Sequence, residues 1–144
     1  MQVYEGKIYY VWREYDGSHW QLRIAWMNTD STGWQSPGTS ESAHNKSHPQ
    51  IQVMDNRIYV VWSEYDGVYN QIWTAMFDLR LTELRADQRK RTSSPFEKDY
   101  PQLQSSDGRI YYVWSEDDGA HDQIWTAFSS PFPSGATNLM LLDD

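Results

Sequence analysis

A phrase of eleven residues recurs along this chain. KIYYVWREYDG at 7–17 returns as RIYVVWSEYDG at 57–67 and as RIYYVWSEDDG at 109–119. Internal repetition with a period of this size limits a chain to architectures built by stacking like units. Displaced by 52 residues, the stretch 49–75 falls on 101–127 without a gap. Pro49, Gln50, Gln52, Asp55, Arg57, Ile58, Tyr59, Val61, Trp62, Ser63, Glu64, Asp66 and Gly67 all meet identical residues, and so do Gln71, Ile72, Trp73, Thr74 and Ala75. Displaced by 50, the first copy joins through Gln2, Val3, Ile8, Tyr9, Val11, Trp12, Glu14, Asp16, Gly17, Gln21 and Ala25.

Each unit divides into short β-type segments separated by turn residues. PQIQV reads as a first strand. RIYVVWSE, rich in β-branched and aromatic residues, reads as a second. Asp-Gly in YDGVYN marks a reverse turn, and QIWTAMF is a third strand. A fourth is weaker: GWQSP at 33–37 in the first unit and a segment within 80–92 in the second. The second strand is apolar at nearly every position, Ile58 to Trp62, which predicts a sheet covered on both faces rather than one with a wet side. Parallel sheets also read this way but need crossover helices, and no 3.6-residue pattern fills the gaps. LTELRADQRKR at 81–91 has helix-forming composition, yet its position matches the outer strand of the first unit. It reads as a charged edge strand, where Lys and Arg discourage stray pairing.

Four antiparallel strands in about 50 residues make one blade of a β-propeller. The expected fold is all-β, with three four-stranded blades at about 1–47, 48–98 and 99–144. SSDGRIYYVWSEDDGAHDQIWTA at 105–127 resembles the repeats of TolB-like propellers. NTDSTGW at 28–34 resembles a degenerate Asp-box, the Asp/Gly/Trp turn of sialidase-like propellers, which the other two units lack. Both families are mostly six-bladed, and the resemblance speaks for architecture more than activity, because one fold hosts many functions.

Three blades do not close a ring. An open arc leaves two outer faces bare, and each large apolar side chain buried is worth roughly 1.5–3 kcal/mol. The expected remedy is a homodimer closing a six-bladed ring by head-to-tail contacts, with assembly of more copies, or a chain that is a piece of a longer propeller, as the alternatives. Met1 aligns with Ile51, so the first blade is expected to start in mid-strand. NLMLL at 138–142 is an apolar strand that either completes the third blade or latches onto a partner.

With eight Trp and ten Tyr among 144 residues, a small core can be built from large rings. A formal net charge of −8 argues against a nucleic-acid partner, which needs a basic face. There is no cysteine, so disulfides and thiolate metal sites are excluded. No apolar run approaches the ~18 residues of a membrane span, and the start of the chain is no signal peptide. A soluble chain with no membrane partner and no cofactor is expected; the compartment stays open.

Candidate chemistry follows the same repeat. Glu14/Asp16, Glu64/Asp66 and Glu116/Asp118 are carboxylate pairs such as glycosidases use. They recur in every unit, as turn residues do and catalytic residues do not, so a structural role is expected. EDDGAHD at 116–122 is acid-rich without a recognised calcium-loop pattern. Arg13, Arg23, Arg57 and Arg109 are available for a sialidase-type arginine cluster, but the last two sit at a blade position that is Lys7 in the first unit. His44 and His48 fall in a polar stretch that reads as coil. Trp34 is expected to anchor the Asp-box-like turn as core, and Gln2, Gln52 and Gln104 to line a central channel. The variable triplets SHW (18–20), VYN (68–70) and AHD (120–122) differ within a constant frame. His19, Trp20, Tyr69, Asn70, His121 and Asp122 are therefore the candidate binding residues, on one rim of the ring. Rings with polar neighbours on a rim suit a carbohydrate or a peptide. The function expected is non-catalytic recognition, with a diverged sialidase-like glycoside hydrolase, or a structural repeat without a ligand, as the alternatives.

Overall fold

The computed structural model describes residues 1–40, 42–79 and 89–129. They form three antiparallel sheets arranged as propeller-like blades. The first sheet holds β1 (Gln2–Tyr4), β2 (Lys7–Tyr15), β3 (Trp20–Asn28) and β4 (Gln35–Ser40). The second holds β5 (Lys46–Met54), β6 (Arg57–Tyr65), β7 (Asn70–Asp78) and β8 (Arg89–Lys90). In the third, β9 (Glu97–Ser106), β10 (Arg109–Asp117) and β11 (Asp122–Ser129) pair in the same order. Strands β1, β5 and β9 are the inner edges, with β5 packed against β9, β2 and β1. Of the expected outer strand at 80–92, only Arg89–Lys90 falls in a described strand. Residues 80–88 and the segment 138–142 lie outside the described residues.

Local chemistry sets the hairpins. The first turn of every sheet is two residues long and both have positive φ: Glu5 and Gly6, Asp55 and Asn56, Asp107 and Gly108. This is the geometry whose twist matches that of paired strands, and Asp, Asn and Gly tolerate it best. The second hairpin is closed by an aspartate. Asp16 Oδ1 accepts the N–H groups of Ser18 and His19, both at 2.7 Å. Asp66 Oδ1 accepts those of Val68 at 3.1 Å and Tyr69 at 3.0 Å. Asp118 Oδ1 accepts those of Ala120 at 2.9 Å and His121 at 2.8 Å. The repeated aspartates are structural, as their place before glycine leads one to expect. Gly67 follows with φ +103°, which a side chain would strain.

The continuous apolar run of the second strand is buried from both sides. Ile58, Val60 and Val61 are 0% exposed and Trp62 1%. One face joins Tyr9, Leu22 and Ile24 of the first sheet to Ile58, Val60, Trp62 and Phe77 of the second. The other joins Tyr59, Val61 and Ile72 to Ile110, Tyr112 and Trp114 of the third. The outer faces of the arc differ. Leu22 and Ile72 are 1% and 0% exposed, but their counterpart Ile124 is 73% exposed.

Each blade junction also carries a buried polar clamp. At the first, Lys46 Nζ lies 3.6 Å from the Glu64 carboxylate and donates to Gln21 Oε1 at 2.8 Å. Ser42 Oγ donates to Glu64 at 2.7 Å, and the Gln21 amide donates to the Ser42 carbonyl at 2.8 Å. At the second, Lys98 Nζ lies 3.6 Å from Glu116, Ser94 Oγ donates to Glu116 at 2.9 Å, and the Gln71 amide donates to the Ser94 carbonyl at 3.2 Å. Burial pushes the Lys98 ammonium below its usual pKa, and Glu116 opposes that shift.

Two expectations are corrected. His48 lies within strand β5 rather than in coil, because Lys46 is drawn into the clamp and starts the strand three residues before Pro49. Trp34 is 52% exposed and is not core. It lies over the outer face of the first sheet, its ring 5.7 Å from Tyr10 and 6.2 Å from Trp12. The turn it follows is held instead by Asp30, which accepts the Thr32 N–H at 2.9 Å and the Thr32 hydroxyl at 2.6 Å.

Removing one member of a buried ion pair leaves the other uncompensated, at about 3–5 kcal/mol. Lys98→Met should therefore destabilise the chain by that order in urea unfolding. Pairing it with Glu116→Leu should recover most of the loss.

Candidate functional site

The hairpins closed by Asp16, Asp66 and Asp118 all project from one end of the sheets. By register, β5 and β9 begin at that same end, since Lys46 pairs with Glu64 and Glu97 with Asp117. The inner mouth and the outer rim of this end are therefore one surface.

The structure places the six candidate residues on equivalent positions of the three hairpins. His19, Tyr69 and His121 close each turn through their carbonyls, which accept the N–H of Asp16 and Asp66 at 3.0 Å and of Asp118 at 3.3 Å. Trp20, Asn70 and Asp122 open the returning strands. The first two loops are tied to the segment that follows their own sheet. Trp20 donates its N–H to Asn45 Oδ1 at 2.9 Å, and Asn70 donates its N–H to Glu97 at 3.1 Å. Asn70 Nδ2 also donates to Glu97. His121 and Asp122 are exposed, and His19, Tyr69 and Asn70 are half-buried.

Trp20 belongs to the best-formed group. Its ring lies 5.5 Å from that of Tyr15, and the Arg13 guanidinium sits 4.7 Å above its centroid. Trp20 is 39% exposed and Tyr15 53%. A cation over an indole is worth about 0.5–1 kcal/mol at an exposed site. Here it holds a large ring in place while part of that ring faces water. Register explains the grouping: Tyr15 faces Trp20 directly across β2 and β3, with Arg13 two residues back on the same face. The triplet comparison finds Trp20 but not its two supports, which lie inside the repeated phrase and differ there as Arg13 against Ser63 and Ser115, and Tyr15 against Tyr65 and Asp117.

A second cluster stands at the inner mouth. His48 Nδ1 and Asp99 Oδ1 are 2.7 Å apart, and Ser63 Oγ donates to the same oxygen at 2.7 Å. The Tyr100 ring lies 4.5 Å from the imidazole. His48 and Tyr100 have φ of 49° and 51°, unusual for such residues. Both sit where the inner strand slips register, between Ser47 and Gln50 in β5 and opposite Val113 and Ser115 in β9. Such irregularities re-aim side chains, and strain of this kind gathers at functional positions. The 52-residue alignment pairs His48 with Tyr100, a signal available in the sequence, but neither position is repeated in identity.

Other candidates are dispersed. Arg13 and Arg23 lie on opposite faces of the first sheet, the latter paired with Glu14. Arg57 donates to the Met76 sulfur at 3.2 Å and Arg109 lies over the Phe128 ring. The four do not converge. Among the described residues, no group of three or more His, Asp or Glu side chains could hold a metal ion, and no helix is long and apolar enough to cross a membrane.

The turn carboxylates titrate with the fold. Backbone N–H donors hold Asp16 and Asp118 below the usual carboxylate range. Lys90, donating at 2.8 Å, and the turn N–H groups bring Asp66 down to about 2. A depressed folded pKa stabilises above the unfolded value, about 3.9, and that stability is lost as pH falls through the folded one. The melting temperature should fall between about pH 4 and pH 2, and Asp66→Asn should flatten that part of the profile.

No family profile and no curated protein matches the chain. Among solved structures, the Bacteroides ovatus protein named Xyloglucan PUL GH43B is similar over 99% of this chain, with a TM-score of 0.57 and 15% identity. An endo-1,4-beta-xylanase from Bacteroides thetaiotaomicron is similar over 94% of it, with a TM-score of 0.50 and 15% identity. The chain spans 28% and 53% of the length of these two proteins. At such identity the likeness is one of fold: an all-β chain of propeller-like blades.

Proposed function

We propose that this chain is a propeller module that recognises carbohydrate at the hairpin end of its blades. The units at about 1–47, 48–98 and 99–144 act as three blades, and two copies complete a six-bladed ring. The observation that carries the reading is the exposed Trp20 ring, held by Tyr15 and Arg13 on a rim where the scaffold is constant and the side chains vary. A pre-fixed ring loses little freedom on binding, which favours affinity, and its flat face suits the apolar face of a sugar. His19, Tyr69, Asn70, His121 and Asp122 supply polar and aromatic contacts around the same rim. The fold likeness to proteins named for xyloglucan and xylan supports a glycan over a peptide.

A second reading rests on the inner mouth. His48 and Asp99 form an imidazole–carboxylate pair of the kind that moves protons, which favours a diverged glycoside hydrolase.

A glycan array carrying xyloglucan and xylan oligosaccharides beside sialosides tests the first reading. Trp20→Ala should weaken any binding by about tenfold or more, as loss of an aromatic anchor does. Binding by peptides alone, or unchanged binding by that variant, would sink it. Hydrolysis of aryl xylosides, arabinosides or sialosides that disappears in Asp99→Asn would establish the second.

A further inference from the structure

The polar clamp is present in full at the two junctions inside the chain and in halves at its two outer faces. On the third sheet the repeat places Gln123 where Gln21 and Gln71 stand. Those two are 1% exposed, whereas Gln123 is exposed and donates to Asp118 Oδ2 at 2.6 Å. Around it, Tyr111 is 39% and Ile124 73% exposed, although their counterparts Tyr9, Tyr59, Leu22 and Ile72 are all buried. On the first sheet, Glu14 stands where Glu64 and Glu116 accept a buried lysine. Its cation is Arg23, at the position held by Trp73 and Trp125 in the other sheets. The first sheet therefore carries both charges of a clamp on its own β2 and β3. Beside them its outer face presents Ile8, Tyr10 and Trp12, half-buried, with the Trp34 ring over the last two as part of the surface that would be covered.

We infer that the outer face of the third sheet receives the first sheet of a second copy, with Arg23 of that copy donating to Gln123 as Lys46 donates to Gln21. The occupant follows from continuity with the apolar packing of both junctions and with the first junction's lysine-to-glutamine contact. Gln123 is exposed where Gln21 is sealed, and the outer face of the first sheet offers a cation already paired to a carboxylate. Tyr111, Val113 and Ile124 meet Ile8, Tyr10 and Trp12, as Tyr9, Val11 and Leu22 meet Ile58, Val60 and Trp62. This inference rests on the two-copy ring proposed above and assigns the residues that close it.

Native mass and sedimentation equilibrium test it with the whole chain. The unaltered chain should dimerise. Gln123→Leu and Arg23→Met should each weaken the dimer by about tenfold or more, since a hydrogen bond to a charged group is lost at both contacts. Circular dichroism unchanged from the unaltered chain shows that each variant folds. Mixing the two variants gives the discriminating result. A mixed dimer has one intact Gln123–Arg23 contact and one contact lacking both partners, while each variant's own dimer has two half-contacts. The mixed species should exceed its statistical half share. A statistical mixture, or a dimer indifferent to both substitutions, overturns this assignment and leaves the ring standing. A chain that stays monomeric at high micromolar concentration overturns both.

Discussion

A sheet that is apolar on both faces must be covered twice, and the rest of this structure depends on that requirement. Strand β6 has almost no position free to face water: Ile58, Val60, Val61 and Trp62 are sealed by a neighbour on each side. Stacking like sheets face to face answers the need, and any finite stack moves the problem to its ends. Among the described residues the middle sheet is covered by a sheet on both faces, and each outer sheet by a sheet on one.

Covering alone does not fix how the sheets stack, because apolar faces slide. The lysine, carboxylate, serine and glutamine at each junction supply the register. A buried ammonium tolerates little displacement from its carboxylate, since losing the contact leaves a charge in a dry place. The two clamps recur with nearly the same partners, Lys46–Glu64 and Lys98–Glu116, each braced by a serine from the crossover. Polar specificity and apolar adhesion are thus divided between the rim end and the middle of each junction.

Much of the fold was legible because the repeat marks it. The unbroken apolar run of the second strand gave two-sided burial, and Asp before Gly gave the hairpin whose aspartate caps the loop. The clamp escaped notice although its members are spaced alike: Ser42 and Lys46, Ser94 and Lys98, with Gln21 and Gln71 ahead of them. Lysine normally reads as surface, and its burial becomes visible only when the facing sheet is in place. Trp34 misled for a related reason. A tryptophan after a turn suggests core, but here it lies across an outer face that no other sheet covers among the described residues. Of the site, Trp20 could be found by comparing the loops, whereas the nearness of His48, Asp99 and Ser63 depends on two inner strands meeting, which periodicity does not report.

In each second hairpin, Oδ1 of the closing aspartate takes backbone N–H groups of the loop it caps, and the side chains that reach Asp66 and Asp118, Lys90 and Gln123, lie outside the variable triplets. Loop shape is therefore set without any help from the side chains the loop displays. At 18–20, 68–70 and 120–122 the chain holds sockets whose contents can be exchanged while the frame keeps its form. One scaffold of this kind can be refitted for different ligands, blade by blade.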